Sequence, residues 1–380
     1  MSYALTNATI FDGNKLLKDH SVVVEGAKVK DIVFTEILGD DVARIDLEGA
    51  LLAPGFVDLQ VNGGGGVLFN DDISVTGLKT IAQAHLRYGT TSFLPTLITT
   101  SFADMKEAIK VTREAKQKIP QVLGLHLEGP FINLKKRGTH NPMYVRKAAD
   151  VEIEEIADNA DVVRVITVAP EAVTPKQVNL LSSKGIKVSI GHTDATKENT
   201  QSLERAGASM YTHLFNAMSQ LQSRELGVVG AALFSKTSYA GIIVDGFHVD
   251  LDNVQIAIKS LGDRLFLVTD AMPPVGSNQK QFSLGPLEVV CEDGKCINNE
   301  GALAGSALNM AQAVRNMVYE VGIGITQALA MASLYPARAL RIENLGRISQ
   351  GFPANFVILS PQIEVMQVVQ EGLRIDLRDS

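Results

Sequence analysis

Three features that are scarce or missing in the sequence exclude whole classes of protein. Only two cysteines are present, Cys291 and Cys296, which is two ligands short of a four-cysteine zinc site. Aspartate and glutamate outnumber lysine and arginine by 42 to 35, and the net charge of −7 argues against nucleic acid or an anionic membrane as the partner. No apolar run approaches the roughly 20 residues that a membrane-spanning helix needs.

The composition that remains is typical of a well-packed globular protein. Hydrophobic residues make up 46% of the 380 residues and charged residues 20%, and the length suits one large α/β domain with a small companion. The first ten residues lack the basic segment and apolar core of a signal peptide. We therefore expect a cytoplasmic protein.

The two cysteines flank a predicted hairpin turn at Asp293-Gly294. A two-residue turn there places Cys291 directly opposite Cys296, so a disulfide is geometrically possible. In a reducing cytosol, we expect two free thiols.

Both ends of the chain are predicted to be β structure. Short segments with period-two alternation and polar turns fill residues 1–50, and the pattern returns after Gly346. We predict one small β-sandwich domain built from residues 1–52 together with 345–380, and a second domain over residues 53–344.

The region between the two ends alternates strand-like and helix-like segments. Near-continuous apolar strands at this spacing indicate a parallel sheet that is buried on both faces, and eight of them in about 220 residues predict an α/β fold, the (β/α)8 barrel. A doubly wound open sheet is the alternative, but no GxGxxG follows the first strand. The predicted strands are residues 55–59, 91–95, 123–127, 163–168, 186–190, 208–212, 240–244 and 264–269.

Chemistry-bearing residues follow several of these strands. His192 and His213 end the fifth and sixth strands, Glu128 ends the third, and Asp270 ends the eighth. A single histidine or carboxylate at a strand end is often structural, but the carboxyl ends of barrel strands converge on one face. Together Glu128, His192 and His213 predict a transition-metal site that leaves a position open for water, with Asp270 placed to act as general base.

Several longer motifs resemble the amidohydrolase superfamily and, within it, the N-acetylglucosamine-6-phosphate deacetylase family. The resemblance covers nearly the full chain, the small β domain included. Its motifs are APGFVD (53–58), LPTL (94–97), GLHLEGP (124–130), GTH (138–140), GHT (191–193), THLFNAM (212–218), DGFH (245–248) and VTDA (268–271).

The resemblance implies a role for individual residues. Glu128, His192 and His213 would bind the metal, Asp270 would be the acid/base, and His140 would polarise the acetamide carbonyl. The substrate phosphate would be held by His248 and by Arg224 from the partner across a homodimer interface, with Asn216 and Ala217 contacting the same end of the substrate. Leu303 would contact the acetyl methyl group of the substrate, or it would only pack within its own loop.

One departure from the superfamily concerns the metal count. Many amidohydrolases carry His-x-His after the first strand for a second metal, whereas this chain has Gln60-Val61-Asn62. Amide side chains are poor zinc ligands, and residues 163–171 contain no lysine that could become a carbamate. We therefore predict one divalent metal per chain, Zn²⁺ or another divalent transition metal, with Gln60 and Asn62 at the position of the second metal.

These observations predict a metal-dependent hydrolase that releases acetate from N-acetylglucosamine 6-phosphate. A related amidohydrolase acting on a different N-acyl sugar or amide is the alternative. A non-catalytic scaffold is a third possibility, but a scaffold has no physical need for a water-activating carboxylate beside a metal site. The sequence leaves the choice between glucosamine and galactosamine substrates open.

Overall fold

A computed structural model describes residues 2–375 and residue 377. Residue 1 and residues 376 and 378–380 of the predicted β domain lie outside the described residues. Among the residues described, no helix combines the length and the apolar character needed to cross a bilayer.

The chain begins with strands that have buried apolar residues on alternate or consecutive positions. β1, β4, β5 and β6 form one sheet, in which β1 pairs with β4 and with β6. The strands of this region are β1 (Ser2–Thr6), β2 (Thr9–Phe11), β3 (Leu16–Leu17), β4 (His20–Glu25), β5 (Lys28–Phe34), β6 (Ala43–Asp46) and β7 (Leu51–Pro54).

The central region forms an eight-stranded parallel barrel. All of its strands except the short β9–β10 pair belong to one sheet, ordered β8-β11-β12-β13-β14-β15-β16-β17. A backbone bridge from Val61 to Ala271 and a hydrogen bond from the Asp270 amide to the Gln60 carbonyl, 3.0 Å, close it. The strands are β8 (Phe56–Val61), β9 (Gly63–Gly64), β10 (Val67–Leu68), β11 (Thr90–Ile98), β12 (Leu125–Glu128), β13 (Val163–Val168), β14 (Lys187–Ile190), β15 (Met210–Tyr211), β16 (Tyr239–Ile242) and β17 (Leu265–Leu267).

Helices cover the outside of the barrel, and several of them begin at polar caps. The Ser101 hydroxyl accepts from the Asp104 amide, and Thr174 with Gln177 forms a capping box. The helices are α1 (Val75–Leu86), α2 (Phe102–Lys118), α3 (Asp150–Asp158), α4 (Pro175–Ser183), α5 (Lys197–Arg205), α6 (Gly227–Phe234), α7 (Leu251–Leu261), α8 (Met310–Tyr319), α9 (Ile325–Ala332) and α10 (Leu334–Ala339).

A three-stranded antiparallel hairpin is inserted after β17: β18 (Gln281–Leu284), β19 (Leu287–Glu292) and β20 (Lys295–Asn298). Its register places Cys291 opposite Cys296, as predicted, and the structure joins them in a disulfide. The expectation of two free thiols is therefore not met, because direct opposition brings the two Cα atoms to 4.1 Å. The apolar side of the hairpin packs against Met272 and Ile98 at the rim of the barrel.

The last strands return to the amino-terminal sheets: β21 (Phe356–Leu359), β22 (Val365–Gln370) and β23 (Leu373–Ile375). β21 pairs with β7, so both ends of the chain share a six-stranded sheet, β23-β22-β21-β7-β2-β3. Leu5, Val22, Leu52 and Phe356 belong to the separate core enclosed with the four-stranded sheet. The predicted (β/α)8 barrel with a small β-sandwich built from both termini is confirmed, while the boundaries at 52–53 and 344–345 stay a prediction.

Candidate active site

The candidate site lies at the carboxyl edge of the barrel, where several strands end in residues with positive φ. His192, His213 and Asp270 follow β14, β15 and β17 with φ of 49°, 31° and 51°. Non-glycine residues adopt this left-handed conformation at an energetic cost, and such residues concentrate at functional sites. The positive φ turns the backbone away from the strand direction, so that each of the three residues lies at the mouth of the barrel.

Three buried ligand atoms converge at this mouth. Glu128 Oε1 lies 3.3 Å from His192 Nε2 and 3.1 Å from His213 Nε2, and the two Nε2 atoms are 3.0 Å apart. One carboxylate oxygen and two imidazole nitrogens that face one point form the donor set that zinc and similar metals prefer.

The surroundings of these ligands favour metal binding. His192 Nδ1 lies 2.8 Å from the Lys136 carbonyl oxygen, which can only accept, so Nδ1 carries the proton and a neutral ring has its lone pair on Nε2. Burial raises the pKa of Glu128, but the His192 and His213 rings beside its carboxylate hold that pKa well below its usual value. Glu128 is therefore an anionic ligand, and the three residues fit a divalent cation.

Asp270 lies beside this set and is held by two amides. Asn62 Nδ2 donates to Asp270 Oδ1 at 2.6 Å, and Gln60 Nε2 donates to the same oxygen at 3.0 Å and to Glu128 Oε1 at 2.9 Å. Burial and the charge of Glu128 raise the pKa of Asp270 to about 6. A carboxylate with this pKa can take up and release a proton near neutral pH.

His140 completes the polar wall. Its ring centroid lies 4.4 Å from that of His192, and the ligand atoms of Glu128, His140 and His192 all lie within 4.8 Å of one another. Thr99 Oγ1 is 2.7 Å from His140 Nδ1. Burial, together with the neighbouring His192, lowers the pKa of His140 to about 3, so the ring is neutral at physiological pH.

One cavity of about 320 Å³ is lined by Glu128, His140, His192, His213 and Asp270. The cavity holds the predicted Asn62, Asn216, Ala217, His248 and Leu303 in addition to the polar residues above. At its outer end, the ring of His248 is oriented by Asp245, whose Oδ2 lies 2.6 Å from His248 Nδ1.

Arg224 is the predicted substrate residue that the cavity does not contain. Its side chain is exposed in the loop before α6, and it does not line the cavity in this chain.

Sequence reasoning missed several residues around the cavity. Lys135, Lys136 and Thr139 line it from the loop after β12, and Ile98, Ile243 and Met272 add apolar walls. Glu171 accepts hydrogen bonds from Asn133 in that loop, 2.7 Å, and from the side chain of Thr193, 2.6 Å, beside His192. The basic pair in NLKKRGT was a visible signal for the lysines, whereas nothing in the local sequence marks Glu171.

Comparisons with known proteins agree with this geometry. The amidohydrolase family model matches residues 51–374, and the NagA composite domain matches residues 2–52. An N-acetylglucosamine-6-phosphate deacetylase of Haemophilus influenzae is 38% identical, with 98% of this chain and 99% of that protein covered. An N-acetylgalactosamine-6-phosphate deacetylase of a Shewanella strain is 41% identical, with 85% and 82% covered.

Among solved structures, an N-acetylglucosamine-6-phosphate deacetylase of Pasteurella multocida superposes with a TM-score of 0.97. It is 41% identical, and the match covers 99% of this chain and 100% of that one. The barrel, the Glu-His-His set and these full-length matches lead to one conclusion: the chain belongs to the amidohydrolase family, within the group of deacetylases that act on N-acetylated amino-sugar phosphates.

Proposed function

We propose that this protein hydrolyses the acetamide of N-acetylglucosamine 6-phosphate to glucosamine 6-phosphate and acetate. The observation that carries the proposal is the convergence of Glu128, His192, His213 and Asp270 in one cavity that also contains His248. The relatives with this activity that match over nearly the full chain support the choice of substrate.

Glu128, His192 and His213 would hold one divalent metal, and we propose Zn²⁺. When bound, such a metal polarises the carbonyl and lowers the pKa of water. Gln60 and Asn62 occupy the position where other amidohydrolases place two further histidines, and their amides are engaged with Glu128 and Asp270. This engagement supports a single metal.

The proton transfers belong to Asp270 and the carbonyl contact to His140. Asp270 takes a proton from water as the oxygen attacks the carbonyl carbon, and it returns a proton to the nitrogen as the C–N bond breaks. If the Thr99 hydroxyl donates to His140 Nδ1, the neutral ring has its proton on Nε2 and donates it to the developing oxyanion.

The phosphate end would be held by His248, by Asn216 and Ala217, and by Arg224 of a second subunit in a homodimer. Leu303, Met272 and Ile98 give the cavity its apolar wall, which suits the acetyl methyl group. The cytoplasmic location stays a prediction.

A galactosamine-type substrate is the second candidate, because a relative named for the galactosamine epimer is 41% identical.

The test is acetate release from N-acetylglucosamine 6-phosphate, N-acetylgalactosamine 6-phosphate and unphosphorylated N-acetylglucosamine, on protein whose metal content has been counted. We expect about one metal per chain and a kcat/KM that falls at least ~100-fold without the phosphate, because the charged contacts at that end are lost. Equal turnover with and without phosphate would contradict the proposed substrate.

A further inference from the structure

A second pocket, of about 470 Å³, lies at the opposite end of the barrel. It is formed at the amino-terminal ends of three adjacent strands: Lys187 begins β14, Ser209 precedes β15 and Tyr239 begins β16. Because Lys187 and His192 are five residues apart along extended chain, the pocket lies roughly 16 Å from the metal ligands. The end of α10 and the residues that follow it close the other side. We call it the floor pocket, and its lining residues are Lys187, Ser209, Thr237, Tyr239, Arg338, Ala339, Arg341, Ile342 and Glu343.

The lining of the floor pocket carries three cationic side chains and one carboxylate. Arg338 pairs with Asp263, with Nη1 and Oδ2 3.2 Å apart. Within residues 2–375, neither Lys187 nor Arg341 makes a side-chain hydrogen bond or an ion pair, and Glu343, the carboxylate of the lining, is exposed and pairs with neither. Half-buried Lys187 and exposed Arg341 therefore line the same space without an ion-pair partner among the described residues, and Glu343 is the single carboxylate of the lining.

The environment of Lys187 shows that this arrangement is costly. Burial of the side chain, and then repulsion by Arg341 and Arg164, lower the pKa of Lys187 to about 8. Cations that are held together against their mutual repulsion are stabilised when an anion binds between them.

The remaining polar groups of the floor pocket are hydroxyls. Ser209, Thr237 and Tyr239 line it, and in the described chain none of their hydroxyls has a hydrogen-bond partner. A hydroxyl both donates and accepts, so three of them beside two cations suit a ligand with a phosphate at one end and hydroxyls at the other.

We propose that the floor pocket binds a small phosphorylated polyol, with Lys187 and Arg341 on the phosphate and the three hydroxyls on the polyol. The site is separate from the candidate active site, and its occupation does not depend on the reaction proposed above.

The test is calorimetric titration with sorbitol 6-phosphate. Because the mouth of the barrel is itself expected to bind phosphate, the background is the double variant Arg224→Gln with His248→Gln. One binding site is expected in this background. Adding Lys187→Met with Arg341→Gln should weaken binding at least ~10-fold, as expected for loss of charge-assisted contacts. The matched control is Lys184→Met, which removes an exposed lysine that pairs with Asp158 and should leave binding unchanged.

A second pair of substitutions and a measurement of thermal stability complete the test. Tyr239→Phe with Ser209→Ala should weaken sorbitol 6-phosphate and leave inorganic phosphate unaffected, since only the polyol contacts are removed. Thermal unfolding without ligand verifies that each variant folds, and Lys187→Met should not lower the Tm because it removes an unpaired charge. Absence of binding in the background, equal binding after loss of Lys187 and Arg341, or equal affinity for inorganic phosphate and the polyol ester would overturn the proposal.

Discussion

Asp270 is the residue whose replacement separates chemistry from metal binding. Asp270→Asn keeps the shape of the side chain but cannot accept a proton, so we expect kcat to fall by roughly 10²–10⁴ while the metal content stays the same. Steady-state kinetics together with elemental analysis check this. Asp71→Asn, an exposed carboxylate of the same barrel, is the matched control and should keep full activity. Near-normal turnover of Asp270→Asn would remove Asp270 from the mechanism.

The pH dependence follows from the same carboxylate. Burial and the Glu128 charge raise the pKa of Asp270 to about 6, and a general base works only when ionised. We therefore expect kcat/KM to rise about tenfold per pH unit on the acid side and to level off above the pKa. A cation bound at Glu128 favours the ionised form of Asp270, so the midpoint should lie at or below about pH 6 in metal-loaded enzyme. A midpoint well above that value would assign the base to another group.

Gln60 and Asn62 determine the number of metals if their amides occupy the second position. Replacing both with histidine restores the His-x-His pattern at the end of β8 and supplies two imidazole ligands beside Glu128 and Asp270. We expect the metal content to rise from about one toward two per chain. If the variant unfolds at the same temperature as the wild type and still binds one metal per chain, the amides of Gln60 and Asn62 do not limit the number of metals.

At the scale of single residues, the sequence was informative where side chains follow strands. The placement of His192, His213 and Asp270 could be read from the ends of apolar runs, because barrel strands point their carboxyl ends at one face. The Lys136 carbonyl that fixes the His192 tautomer could not be predicted, since any residue has a carbonyl and only the folded loop brings this one to the ring.

The loop after β12 is an element whose position depends on one carboxylate. Glu171 accepts from Asn133 in this loop, and from the Thr193 side chain and the Asp194 amide beside His192. Hydrogen bonds to a charged acceptor contribute about 1.5–3 kcal/mol each, so Glu171→Ala should release both loops.

We expect that variant to lose roughly tenfold in kcat/KM and to lose metal more readily in a chelator competition. A partial recovery is expected in Glu171→Gln, which keeps one acceptor oxygen. Glu154→Ala removes an exposed carboxylate of α3 and serves as the control. Unchanged kinetics and metal retention in Glu171→Ala would show that the loops hold their positions without it.

Prediction of whole elements succeeded where the local signals agreed. The range predicted for the strand over residues 163–168 is the range observed for β13, because five of its six residues are β-branched. α3 has a weak local signal, because it is nine residues long and acidic and its cap residue is Ala149, which has no side-chain acceptor. β15 spans two residues where five were predicted, because apolar character alone does not distinguish a paired strand from its buried extensions.

The assembly of the whole molecule is tested by mixing two inactive variants. If Arg224 acts in the neighbouring subunit, a hybrid dimer of Asp270→Asn and Arg224→Gln chains contains one intact site. Random reassociation of equal amounts should then recover about a quarter of the wild-type activity. Each variant reassociated with itself is the control. If both variants are inactive alone and mixing recovers no activity, Arg224 acts in its own chain.

For the whole molecule, the sequence predicted the barrel, the sandwich and the mouth of the site, because hydrophobic periodicity and strand-end chemistry are local properties. It did not predict the floor pocket. Its residues lie far apart in the sequence, and no motif marks them: they include Lys187, Ser209 and Tyr239. They meet in the fold because parallel strands also align their amino-terminal ends. The disulfide was predicted as possible but not as formed, since register gives proximity and not oxidation state.

The shared sheet of the two chain ends has a mechanical consequence. β7 leads into β8 through Gly55 alone, where a β-carbon would collide with the Thr91 side chain, and β21 lies directly against β7. A force applied between the two ends of the chain would therefore load the sandwich first, shearing β21 from β7 before any barrel strand bears tension. Tension on the termini would therefore reach the strands that carry the active site only after the pairing of β21 with β7 has broken.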